Sequence, residues 1–127
     1  MAKYDLIVLT NPAPGREDEY NDWYTNTHLA DVLKVPGIAA AQRFRLSEHQ
    51  RDPGPHAYNY LAIYHCETDD VRKVIAQLKE RSGTQDMVLS DTLDKERMVL
   101  FFEPITELKM SGENATLLSL HPSVANA

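Results

Sequence analysis

Apolar and polar positions along this chain fall into six runs with two different periods. Residues 4–10 form a short apolar run that ends at Asn11-Pro12-Ala13-Pro14-Gly15, a cluster that stops a strand and opens a turn. Residues 16 to about 35 contain no Pro or Gly, carry Glu17, Asp18 and Glu19 where acids suit a helix N-terminus, and stop at Pro36-Gly37. Residues 38–46 alternate Ile38, Ala40, Gln42, Phe44, Leu46 against Ala39, Ala41, Arg43, Arg45, the period of a strand with one wetter face. A polar loop over 47–56, with Asp52-Pro53-Gly54-Pro55 inside it, separates this strand from an aromatic and branched run at 58–66, so the two read as a hairpin. Thr68 or Asp69 can cap a second helix in which Val71, Val74, Ile75 and Leu78 share a face before Gly83 closes it. After a connection at 84–97, with a short helical turn expected near 90–93, residues 98–105 supply the last strand.

Strand, helix, two strands, helix, strand is a split β-α-β pattern of the α+β class. It predicts a four-stranded antiparallel sheet with two helices on one face, built as one domain over residues 1–107. The opposite sheet face is also expected to be apolar, through Ile7, Leu9, Leu61, Ile63, Val99 and Phe101, which is more than a monomer readily exposes. Pairing two such faces would give a homodimer. The tail, residues 108–127, is expected to contact the partner subunit or stay mobile.

Composition narrows the field. With 127 residues, 43% hydrophobic and 25% charged, the chain has the profile of one globular domain. Thirteen Lys and Arg against nineteen Asp and Glu leave a net charge of −6, which disfavours nucleic acid; Arg43, Arg45 and Arg51 read as strand and loop solvation. A single cysteine, Cys66, and an N-terminus that opens on a strand-like run lead to the expectation of a cytoplasmic protein with no internal disulfide. No apolar run approaches the roughly 18 residues of a membrane span. The five histidines show no metal-binding spacing and the five glycines no phosphate-binding loop, so neither a metal nor another cofactor is expected.

The first helix carries the candidate chemistry. At about 100° per residue, Tyr20, Tyr24, Thr27, His28 and Asp31 share one arc, where a core helix would place Leu, Ile and Val. Such a stripe is costly unless each polar group is paired or lines a cavity. Leu29 and Leu33 drift off this stripe, which points to a kink near Thr27 or to cover from a partner subunit. His28 and Asp31, at i and i+3, suggest a base and its orienting carboxylate, with Tyr24 or Tyr20 placed to steady a substrate oxygen. Tyr60 and Tyr64, on one face of the third strand, can oppose this stripe across a cavity. The plain structural reading stands beside each: a satisfied His–Asp pair, aromatic packing in a sheet, Trp23 as core or interface, and Cys66 as a small buried hydrophobe.

The run Asp22-Trp23-Tyr24-Thr25-Asn26-Thr27-His28-Leu29-Ala30-Asp31-Val32-Leu33-Lys34-Val35-Pro36-Gly37-Ile38, followed by Ala41-Gln42-Arg43-Phe44, resembles EthD-like proteins of the dimeric α+β-barrel, ferredoxin-like superfamily. The resemblance is strongest over residues 16–46 and extends beyond them only in element order. It implies a homodimer with a ligand cavity between sheet and helices. Relatives include polyketide cyclases and dehydratases, muconolactone-type isomerases and cofactor-independent monooxygenases, and some bind haem. Only His28, preceded by Trp23 and Tyr24, matches the family's own pattern.

The expectation that follows is proton transfer on a small aromatic, polyketide-like or lactone substrate. His28, Asp31 and Tyr24 would act as catalytic groups; Tyr20, Trp23, Thr27, Tyr60 and Tyr64 would contact the substrate. The alternatives are a non-catalytic ligand-binding dimer and a cofactor-independent monooxygenase.

Overall fold

The computed structural model describes residues 1–112. Strand β1 (Ala2–Thr10) leads into one helical stretch made of α1 (Glu17–Trp23), a π-helical turn (Tyr24–His28) and α2 (Leu29–Leu33). Then follow β2 (Ile38–Arg45), β3 (Tyr60–Thr68), α3 (Val71–Arg81) and β4 (Met98–Phe102). All neighbouring strands pair antiparallel, in the order β2-β3-β1-β4. This is the ferredoxin-like α+β arrangement the element order predicts. From residue 113 on, the expected tail lies outside the described residues. No helix among the described residues is long and apolar enough to cross a membrane.

Alternation decides which side chains meet the helices. Leu6, Tyr60, Ala62, Tyr64 and Cys66 from the sheet form one buried cluster with Tyr20, Tyr24, Val32 and Val74 from the helices. Cys66 is fully buried beside them, as its small apolar bulk suggested, and burial pushes its thiol up to about 11. Helix α3 is capped by Asp70, whose side chain accepts from the Arg72 N–H, one residue beyond the candidates read from the sequence. At the expected Pro36-Gly37 stop, Gly37 takes φ +98°, and a β-carbon there would stand 2.8 Å from Val74 Cγ2. Only glycine allows both the turn and this approach of the helix end to α3.

Two expectations about sheet faces are corrected. Val99 and Phe101 pair with Val8 and Leu6, so they point toward the helices. Met98, Leu100 and Phe102 lie instead on the outer face beside Ile7, Leu9, Leu61 and Ile63, and together with Phe44 they leave that face broadly apolar. In β2 an irregularity between Ile38 and Ala40 inserts Ala39 opposite the junction of Cys66 and His65. This bulge puts Ile38, Ala41, Arg43 and Arg45 on the helix-facing side, where simple alternation separates Ile38 from the rest. Near residues 90–93 the chain makes a single turn closed by Leu93 N–H to the Ser90 carbonyl at 3.3 Å.

Candidate active site

The site begins with a local fault in the first helix. At the end of the π-helical turn the Leu29 N–H reaches the Tyr24 carbonyl, five residues back where an α-helix would use four. The wider turn takes up the phase change that Leu29 and Leu33 foreshadow in the sequence. Upstream, Tyr20 and Tyr24 are buried; downstream, Val32 and Val35 are, while Leu33 is 42% exposed. Turns of this kind are frequent at functional sites, and they can aim a side chain where regular helix cannot.

Beside this turn lies a cavity of about 330 Å³, within the range of small-molecule sites. Leu6 and Val8 of β1, Tyr64 of β3 and Val99 of β4 form one wall; Tyr24, His28 and Val32 form another. Leu78 and Met87, Leu89 and Leu93 of the 84–97 connection complete it. That connection is tied down by Ala13 N–H to the Thr92 carbonyl (2.6 Å) and by Trp23 Nε1–H to the Val88 carbonyl (3.2 Å). The signal for it in the sequence was the set of apolar residues within a long loop, which reads as a packed wall.

His28 is clamped by aromatic rings. Trp23 stacks on it at 4.7 Å between centroids and 25° between planes, and Tyr24 meets it edge-on at 4.9 Å. Its Nδ1 is buried and has no hydrogen-bond partner among the described residues. Burial lowers its pKa to about 4, opposed by the Asp31 charge and reinforced by Arg97 and Arg43, so the ring is neutral at pH 7. Next to it, the Tyr64 hydroxyl donates to the Tyr24 hydroxyl at 3.3 Å, and no acceptor for the Tyr24 proton is present among the described residues. Burial pushes Tyr24 up to about 12 and Tyr64 higher still, so both phenols stay protonated as donors.

The structure brings His28, Tyr24 and Tyr64 together at the cavity and leaves the other candidates around it. Asp31 acts on His28 through its charge alone and gives no hydrogen bond to Nδ1. Tyr20 is wholly buried with its hydroxyl on Thr10 Oγ1, and Trp23 backs the imidazole. Thr27 is exposed. Tyr60 accepts from Asn21 Nδ2 at 3.1 Å and donates to Glu17 at 2.6 Å, beside an open groove separate from the cavity.

Arg43 is the residue that sequence reasoning missed. Its guanidinium carbon lies 4.4, 5.3 and 5.5 Å from the ring centroids of Tyr24, Tyr20 and Tyr60. Its nitrogens donate to Thr25 Oγ1 (2.8 Å) and Asn21 Oδ1 (3.0 Å), so it pins α1 and the π-helical turn to the sheet. Among the described residues no group of three His, Cys, Asp or Glu is placed to hold a metal ion.

No protein-family model and no curated protein matches the sequence. Solved structures do match the fold. An EthD-like protein from Ralstonia eutropha JMP134 is 15% identical, with a TM-score of 0.59 over 85% of this chain and 96% of that one. The chain has the fold of an EthD-like protein. The haem degrader MhuD of Mycobacterium tuberculosis, solved with two haems in its active site, is similar over 84% of this chain and 99% of its own, at 16% identity and a TM-score of 0.55. HapK from Hahella chejuensis is similar over 88% and 100%, at 16% identity and a TM-score of 0.52. At these identities the likeness is one of fold, and the EthD-like fold agrees with the resemblance carried by residues 16–46.

Proposed function

We propose that this chain is a small-molecule enzyme of the proton-transfer type, a cyclase, dehydratase or isomerase acting on an aromatic, polyketide-like or lactone substrate, and that it works as a homodimer paired through the outer sheet face. The observation that carries this reading is His28: a neutral imidazole on a cavity wall, clamped by Trp23 and Tyr24, whose ring nitrogens receive no hydrogen-bond partner from the described residues. A buried polar atom without a partner costs stability unless something else uses it. The imidazole takes a proton from a carbon next to a carbonyl, and the C–H electron pair moves into that carbonyl. The resulting oxyanion accepts a hydrogen bond from the Tyr24 hydroxyl, which Tyr64 supports from behind. The imidazolium, eased by the Asp31 charge, then returns the proton to another carbon, or to a hydroxyl that leaves as water. A fold neighbour that degrades haem supports a small-molecule site in this architecture.

Deuterium exchange into 2-tetralone, followed by NMR, tests the chemistry without knowledge of the natural substrate. The chain is expected to accelerate exchange next to the carbonyl, and His28→Ala to lose about 100-fold or more of that acceleration with its circular dichroism unchanged. Equal exchange with and without His28 would rule out its role as base. A second reading, a non-catalytic ligand-binding protein, is favoured by the weak basicity of an imidazole whose pKa is lowered to about 4. It predicts binding of naphthalene-sized ligands with no exchange.

A further inference from the structure

The cavity differs from the rest of the chain in its charge. Nineteen acids outnumber thirteen Lys and Arg overall, yet among the described residues no acid lines the cavity, whereas two cations, Arg97 and Lys79, do. The two come from different elements: Arg97 immediately precedes β4, and Lys79 lies in the last turn of α3. Both are exposed, and among the described residues neither forms a salt bridge or hydrogen bond. Salt bridges engage Arg16 with Glu19 and Asp91, Arg72 with Asp70 and Arg51 with Asp52, while Lys34, Lys73 and Lys95 are exposed and, among the described residues, likewise unpaired; what sets Arg97 and Lys79 apart is their place beside the cavity. A cation in the last turn suits the helix dipole, which accounts for Lys79 by itself but not for Arg97. The field of Arg97 also reaches inward, since it acts on both Tyr24 and His28.

We infer that the ligand of this cavity is an amphipathic anion: an apolar ring system held among Leu6, Val8, Leu93 and Val99, with a carboxylate or similar acidic group at the rim between Arg97 and Lys79. Carboxylate pairs with guanidinium through two parallel hydrogen bonds, and an apolar wall beneath it excludes water from one side of the pair. Cations of this kind steer and orient a ligand. The inference deepens the proposed function by naming the substrate's charge, and it rests on that reading only for what happens to the ligand after it binds.

The test compares 2-naphthoate with 2-naphthamide, two ligands of nearly equal shape that differ in charge, by isothermal titration of the full chain. Naphthoate is expected to bind at least tenfold more tightly than the amide, with an advantage that shrinks between 50 mM and 500 mM salt. The double variant Arg97→Gln, Lys79→Gln is expected to erase the advantage while leaving naphthamide affinity within about threefold. Both positions are exposed, so the variant is expected to fold, and circular dichroism checks that it does. Equal affinity for the two ligands, or an unaltered naphthoate preference in the folded double variant, would overturn the inference. Because binding is read without turnover, loss of the base assignment for His28 would leave this result standing. Conversely, a failed charge preference would not touch the deuterium-exchange test.

Discussion

The Arg43 guanidinium lies over the ring of Tyr24: the cation sits 4.4 Å from the ring centroid, and Tyr24 itself lines the cavity. Arg43 also holds Thr25 and Asn21, so it fixes the helical turn that carries Tyr24 and His28. Replacing it with Met keeps the aliphatic bulk and removes three ring contacts and two hydrogen bonds. Desolvated cation–π contacts and charged hydrogen bonds of this kind are worth roughly 1–3 kcal/mol each before compensation. Arg43→Met is expected to lower stability by about 2–3 kcal/mol in urea unfolding. Arg43→Lys is expected to recover less than half, since an ammonium cannot span both acceptors.

His28 makes stability depend on pH with a defined sign. Its folded pKa, about 4, lies below the ordinary value of 6.5, so the unfolded chain binds the proton first. Stability is therefore complete above about pH 6.5 and is lost as pH falls toward 4, by at most about 3 kcal/mol. Unfolding midpoints measured at pH 7 and pH 4.5 are expected to differ less in His28→Gln than in the wild type. In activity, the acidic limb of kcat/KM for the same base is expected near pH 4 and not near 6.5, because that limb reports the free protein.

The two phenols should separate in kinetics. Tyr24→Phe removes the donor that has no acceptor among the described residues, and exchange into 2-tetralone is expected to fall about tenfold to a hundredfold. Tyr64→Phe removes only the group that donates to Tyr24, and a drop of about threefold to tenfold is expected. Comparable losses in both would mean that the pair acts as one unit.

The outer sheet face yields a prediction about assembly. Leu100 is 39% exposed and Phe102 55% exposed there, on the strand edge of an otherwise apolar surface. Leu100→Glu is expected to convert a dimer to a monomer in light scattering without changing the far-UV circular dichroism. A wild-type chain that is already monomeric at high micromolar concentration would remove the dimer from the proposal.

Element order was legible because each run carried its own punctuation. The Asp52-Pro53-Gly54-Pro55 loop, the Pro36-Gly37 stop and the Val71-Val74-Ile75-Leu78 stripe are local features, and the sheet and helices follow them closely. Two features escaped because they are not local. The bulge at Ala39 leaves no mark in a sequence that continues to alternate after it, so Arg43 reads as solvated when it stacks on three tyrosines. β4 is apolar on both sides, so nothing in Val99, Leu100 and Phe101 tells which face is which until β1 sets the register. The candidate site was legible at His28, Tyr24 and Tyr64, whose polar tips are out of place in a core. Arg97 and Lys79 were not, since a cation in a loop or at a helix end is ordinary until a hollow is found beside it.

The π-helical turn makes the chain's residue count a determinant of where the imidazole points. With Leu29 bonded to Tyr24, that segment holds one residue more than regular helix needs. Val32 and Val35 are fixed below it and Tyr20 above, so excision of a single exposed residue such as Asn26 would let the segment wind regularly only by swinging the imidazole away from the hollow it now borders. A deletion far smaller than any domain, and touching none of the proposed reactive groups, is expected to dismantle the candidate site while sparing the architecture.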